Sequence, residues 1–181
     1  MKKFLSIRLI WFLVLSGFLF NTCKKEGKFD LFPLKTGNEF YYKYNKESHP
    51  GPTVYTIGTE TWKVVNESEE GNHIKYTIER RLNAKISLGG YTYVTKVISD
   101  SIQYLEILED KKTALISFLN ITFKRYQSVS QIEINQGGQY DIEGWSYLFK
   151  TDSGMTKYNY YHRPNQITIE SLHLDSITTI Q

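Results

Sequence analysis

Nucleophiles, proton carriers and metal ligands are all present in this chain of 181 residues, but no spacing assembles them into a catalytic centre. His49, His73, His162 and His173 form no pair at metal-ligand spacing and no HExxH segment occurs, so each reads as a surface or strand-face histidine. Serine, aspartate and histidine are present without the G-x-S-x-G elbow that would single out a nucleophile. Glu106, Glu109, Asp141 and Glu143 are candidates for a paired acid and base, although exposed strand carboxylates are far commoner. Gly89-Gly90 and Gly137-Gly138 lack the strand-to-helix setting of a phosphate loop and read as hairpin turns. No catalytic residue, metal site or cofactor is assigned on this reading. The one thiol is Cys23, at the junction between an apolar leader and a polar chain.

Lys2, Lys3 and Arg8 form a cationic start, and residues 9–20 are apolar apart from Ser16 and Gly17. Such a stretch rises only about 18 Å as a helix, well short of the roughly 30 Å hydrocarbon core that a spanning helix must cross. A cleavable signal segment over residues 1–22 fits better. Extending the stretch back to Phe4 would lengthen it but would draw Arg8 into the bilayer, at a cost of a few kcal/mol near its centre.

Leu19-Phe20-Asn21-Thr22-Cys23 resembles the relaxed lipobox of bacterial lipoproteins in some Gram-negative groups. The resemblance implies that Cys23 is acylated through its sulfur, becomes the first residue on cleavage, and anchors the protein to a membrane by its acyl chains. Residues 23–29 would then be a lipidated tether. Lys24 follows the cysteine, where an Asp is common in lipoproteins kept at the inner membrane, so the resemblance implies the outer membrane. Acylation would also use up the only thiol, excluding disulfides and cysteine chemistry. The competing readings are an incidental thiol beside an ordinary cleavage site, or an uncleaved anchor.

Removing the leader leaves roughly 160 residues, enough for one domain, residues 30–181, with a proper core. The chain has 22 basic and 19 acidic side chains, and Lys2, Lys3 and Arg8 lie in the leader, which carries no acidic residue. The remaining chain is therefore neutral. A balanced charge without a long basic run argues against a nucleic-acid partner, because such binding depends on phosphate neutralisation.

From Asp30 onward the dominant hydrophobic period is two, the signature of strands. Phe40, Tyr42 and Tyr44 alternate with more polar neighbours, as do Ile74, Tyr76, Ile78, Arg80 and Leu82. Residues 54–62 alternate likewise. Residues 91–99, 114–126, 131–135, 140–150, 156–162 and 166–174 are further β-rich runs. Turn chemistry separates them at residues 49–52, 70–72, 89–90, 137–138, 152–154 and 164–165. Residues 99–112 admit two readings: a helix on Ile102, Leu105 and Leu108, or a favoured strand over residues 102–109 between turns at Asp100-Ser101 and Asp110-Lys111. The fold class expected is all-β: a single antiparallel meander of about ten strands, curved into a half-open or closed barrel.

Phe32-Pro33-Leu34-Lys35-Thr36-Gly37-Asn38-Glu39-Phe40-Tyr41-Tyr42 is similar to the opening of many secreted bacterial β-proteins, in which a Phe-Pro-Leu strand, a Gly-Asn turn and an aromatic strand begin the sheet. That resemblance implies a LolA-like or lipocalin-like curved sheet. The chain holds 14 tyrosines, with Tyr158, Tyr160 and Tyr161 clustered near its end. Their strand propensity accounts for them without any ligand. An unfilled barrel would instead let them line a pocket for a lipid or a glycan. The leading expectation is a membrane-anchored, extracytoplasmic, non-catalytic lipoprotein that binds or carries such a ligand or presents a surface to partners. The rivals are an extracytoplasmic hydrolase acting on glycan or lipid, and a purely structural surface protein.

Overall fold

The structure is a computed structural model that describes residues 33–49, 52–110, 112–119, 121–126, 129–137, 143–163 and 167–179. Cys23, the leader, the tether, Phe32 and Asp141 lie outside these residues. So do Pro50, Gly51, Lys111, Gly138, Pro164 and Asn165 from the expected turns.

Ten strands follow one another: β1 (Glu39–His49), β2 (Val54–Glu70), β3 (His73–Leu88), β4 (Tyr91–Leu108), β5 (Thr113–Phe118), β6 (Ile121–Tyr126), β7 (Gln131–Gln136), β8 (Glu143–Lys150), β9 (Gly154–His162) and β10 (Ile167–Thr178). They form one sheet in the order β6-β5-β4-β3-β2-β1-β10-β9-β8-β7, with every pair antiparallel. The protein is thus the expected all-β meander. The sheet curves into a nearly closed barrel whose seam lies between β6 and β7. No helix occurs among the described residues.

Alternation decides what enters the barrel. On β1 the side chains of Phe40, Tyr42 and Tyr44 are buried, and on β3 those of Ile74, Tyr76, Ile78, Leu82 and Ala84. Each faces the concave side because consecutive strand residues point to opposite faces. Aromatic rings then bridge the curl: Trp62 of β2 lies 5.5 Å from Phe118 of β5, which lies 6.0 Å from Phe149 of β8. Phe123 of β6 meets Phe149 at 5.4 Å. These contacts join strands on both sides of the seam without a hydrogen-bonded ladder there. Phe40, Trp62, Phe118, Phe149, Ile116 and Met155 are at most 2 % exposed, so this end of the barrel is filled by its own side chains.

Residues 33–38 depart from the expected Phe-Pro-Leu strand, because they are coil and a turn. Pro33 has no amide hydrogen to give to a ladder, and the segment docks on β2 instead. The Gly37 amide donates to the Val64 carbonyl at 2.7 Å, the Val64 amide donates to the Asn38 carbonyl at 3.0 Å, and Leu34 is laid into the core. The Asn38 side chain donates back to the Pro33 carbonyl at 2.6 Å, which fixes the loop.

Two further boundaries differ from expectation. The favoured strand over residues 102–109 forms and the helix does not, but no turn falls at Asp100-Ser101, since β4 runs unbroken from Tyr91 to Leu108. Asp100 favours turns when its carboxylate can bond its own backbone, but here that carboxylate is engaged across the ladder by Arg80. Residues 114–126 are two strands rather than one run, broken at Leu119, whose φ of 48° no strand residue adopts.

At Gly58 of β2 the backbone of β3 leaves no room for a side chain. A Cβ there would sit against the Asn83 carbonyl oxygen and 2.5 Å from the Ala84 Cα, both on the backbone of β3. Gly58→Ala should therefore cost about 1–3 kcal/mol of stability through overpacking, read by urea denaturation. Adding Ala84→Gly should not restore it, because the main collisions are with backbone. A Gly58→Ala protein as stable as the parent would contradict this close approach.

Candidate functional site

The concave face changes character along the barrel axis, from the filled aromatic end to a charged and tyrosine-rich end. Glu60 of β2 sits two residues above Trp62, on the same face, and is 4 % exposed. Trp62 Nε1 donates to Glu60 Oε1 at 2.6 Å, and Arg80 Nε of β3 stands 3.7 Å from the same oxygen. Arg80 also donates from Nε and Nη2 to the two carboxylate oxygens of Asp100 on β4, at 2.8 and 2.6 Å. That two-pronged match suits the planar guanidinium. Three adjacent strands thus hold a carboxylate, guanidinium, carboxylate row.

A second cluster lies across β1 and its neighbours. Lys46 of β1 pairs with Glu170 of β10 at 3.2 Å, on the concave side and directly opposite in the ladder. Tyr44, one concave position below Lys46, is near both Glu170 and Glu60. Tyr158 of β9 opposes Tyr147 of β8, with ring centroids 5.0 Å apart. The Tyr160 hydroxyl donates to Glu143 Oε1 at 3.0 Å. The arrangement offers flat ring faces beside fixed donors and acceptors, the kit that holds a hydroxyl-rich molecule by stacking and hydrogen bonds.

Burial and charge tune these groups. Burial pushes the Glu60 carboxyl above its ordinary value, while the Trp62 hydrogen bond and the Arg80 charge oppose that shift. Asp100 goes the other way, held below the usual carboxylate range by the hydrogen bonds from Arg80. Burial and the nearby Glu170 carboxylate push the Tyr147 hydroxyl up to about 12. Tyr44 and Tyr158 are raised further, again first by burial. These hydroxyls stay protonated at neutral pH and can donate.

Of the tyrosines singled out in the sequence, Tyr158 and Tyr160 face this concave end. Tyr161 does not: adjacent strand residues cannot share a face, so Tyr160 and Tyr161 are separated by the sheet. Tyr161 lies over the Cβ-less Gly144 on the convex side, where its ring also carries the Arg163 guanidinium at 5.0 Å. The candidate carboxylates disperse. Glu106 is buried on the concave side of β4, Glu109 pairs with Lys124 at the β4–β5 turn, and Glu143 receives the Tyr160 hydroxyl. His49 bonds Thr53 and Glu47, while His73 and His173 are exposed. No group of three or more metal-ligating side chains occurs among the described residues.

None of Lys46, Glu60, Arg80, Asp100 and Glu170 stands out in the sequence by motif. Their signal is phase: Arg80 falls in step with Ile78 and Leu82, and Glu60 with Trp62 and Val64. A charged residue in the apolar phase of a strand must either break the strand or meet a partner inside. A separate groove of about 270 Å³ lies on the convex face, bordered by the exposed side chains of Tyr55, Ile57 and Ile169. Comparison with protein-family models, with curated proteins and with solved structures finds no match to this chain.

The raised Glu60 carboxyl gives a signed expectation. Around it stand Trp62, Arg80, Glu170, Asp100 and the buried Tyr42. A carboxyl raised in the native state makes folding favour its protonated form, so this group's contribution to stability falls as pH rises through the raised value. Glu60→Gln removes that titration and keeps an acceptor for Trp62. The difference in unfolding free energy between variant and parent should move in the variant's favour from about pH 4 to about pH 8. Parallel pH profiles for the two proteins would rule out a raised Glu60.

Proposed function

We propose that this protein is an extracytoplasmic lipoprotein, anchored through acyl chains on Cys23 to the outer membrane of a Gram-negative cell, whose β-barrel binds a hydroxyl-rich ligand such as a saccharide at its charged concave end. The observation that carries the binding reading is convergence. Tyr44 and Lys46 of β1, Glu60 of β2, Arg80 of β3, Tyr158 of β9 and Glu170 of β10 gather on one end of one face. A glycan is favoured over an acyl chain because the other end of the barrel is packed by Phe40, Trp62, Phe118 and Phe149, leaving no apolar sleeve there. The role is non-catalytic: Glu60 is enclosed by Trp62 and Arg80, and Asp100 is held as an anion by Arg80. The anchor rests on the lipobox resemblance, the lone cysteine and the order of charge and apolarity in residues 1–22.

Binding is tested by native mass spectrometry of the untagged protein released from its own envelope, with Tyr158→Ala beside the parent. The parent should carry added saccharide mass, reduced about tenfold in occupancy when the tyrosine ring is removed, as expected where an aromatic stack supplies a good part of the affinity. A bare parent mass, or the same adduct on both proteins, would sink the proposal. Anchoring is tested separately by metabolic labelling with a palmitate analogue. Label should enter the parent and disappear in Cys23→Ser; equal label in both would refute acylation at this residue.

A further inference from the structure

The first part of β4 has a neighbour on one side only. Residues 91–107 pair with β3, but β5 joins β4 only from Tyr104 to Leu108. Between Tyr91 and Gln103 the outer edge of β4 therefore has no ladder partner among the described residues. Such edges are usually short, bulged away or charged throughout, because their free amides and carbonyls invite another strand. This one is long, and its only register shift falls at residue 93, leaving residues 94–103 regular. It also carries exposed apolar side chains among its polar ones: Val94 and Val97 are more than half exposed, Tyr91 is 74 % exposed, and Ile98 stands at 36 %.

We infer that this edge pairs with the same edge of a second copy of the chain, antiparallel about a two-fold axis through Ile98. The residues choose the occupant and the register. With Ile98 opposite Ile98 of the partner subunit, Lys96 stands opposite the partner's Asp100 and Asp100 opposite the partner's Lys96. Val94 meets the partner's Ile102, and Ile102 the partner's Val94. All five positions have the same parity, so they share the concave face and the match is self-complementary in shape and in charge. On the convex face Val97 falls opposite the partner's Ser99, and Thr95 opposite the partner's Ser101. The ladder has natural ends, because β5 occupies the edge from Tyr104 onward and the Gly89-Gly90 turn closes the far end of β4. A slip by two residues, which moves the two-fold axis to Val97, would oppose Lys96 to Ile98 of the partner subunit and lose both ion pairs. Asp100 keeps its bond to Arg80, since it is 41 % exposed in its side chain and one carboxylate accepts from both sides.

Directly opposed residues of an antiparallel pair place their Cα atoms about 4.5–5.5 Å apart, within the span a disulfide bridges. The test is therefore disulfide trapping of the full chain in its own envelope, with the parent as the control for Cys23. Ile98→Cys should yield a covalent dimer under mild oxidation. Val94→Cys and Ile102→Cys should each yield none alone and should yield it when combined in one chain. Lys96→Glu in the Ile98→Cys background should cut the yield about tenfold, because two attractive cross-strand pairs become two repulsive ones. No dimer from Ile98→Cys, or equal trapping at Val94 alone, would overturn the register. Lys96→Ala raising the yield would also overturn the inference, because Lys96 would then be a charge that keeps edges apart.

Discussion

The ladder between the first strand and the last is the constraint on which the rest of this structure depends. β1 and β10 are paired over the full length of β1, from Glu39 opposite Thr178 to His49 opposite Ile167. Because β6 and β7 are not paired, without that ladder β1–β6 and β7–β10 would be two separate sheets; with it, the two halves of the chain share one curved wall. The seam is then left between β6 and β7, which are short, and is spanned by rings rather than by hydrogen bonds. Closing a loop that encompasses the whole domain carries a large entropic cost, but that cost grows only slowly with loop length. The cross-strand ion pairs Lys43 with Asp175 and Lys46 with Glu170 are bonds of this same ladder.

The ladder also builds the candidate site. Glu170 reaches Lys46 and Tyr44 only because β10 lies beside β1, and Tyr158 enters the same space because β9 follows β10. From there the concave face descends to Glu60 and Trp62 and then into the aromatic core. The gradient has a physical logic. Burial of the rings of Phe40, Trp62, Phe118 and Phe149 stabilises the closed wall, each by roughly 1.5–3 kcal/mol, while the charged end leaves Lys46 and Asp100 partly exposed. The ion pairs at that end contribute little to stability where they are exposed, whereas Glu60 is buried and depends on Trp62 and Arg80 as partners.

Much of the fold was legible in the sequence because a period of two over so many runs leaves few alternatives, and because Gly89-Gly90 and Glu70-Gly71-Asn72 mark turns by their chemistry. Ranges failed where a local preference was overridden from outside the segment. Asp100 reads as a turn residue until Arg80, twenty positions away, takes its carboxylate. Pro33 and Leu34 read as a strand until β2 offers Val64 as a docking point. The site was less legible than the fold. Tyr158 and Tyr160 were visible as a cluster, but Tyr161 belongs to the opposite face by alternation alone. Glu60 and Arg80 were hidden because each looks like an ordinary surface charge unless its phase is compared with Trp62 and Ile78.

Residue-resolved amide hydrogen exchange under native conditions tests the central claim, that the β1–β10 ladder holds the barrel as one cooperative unit. The amides of Phe40, Tyr42 and Tyr44 in β1 should exchange in the same slowest class as those of Leu172 and Leu174 in β10 and Trp62 in β2, because freeing any of them requires global opening. If β10 exchanged orders of magnitude faster than β1 and β2, the ladder would be a peripheral contact and the closed wall would not be what holds this protein together.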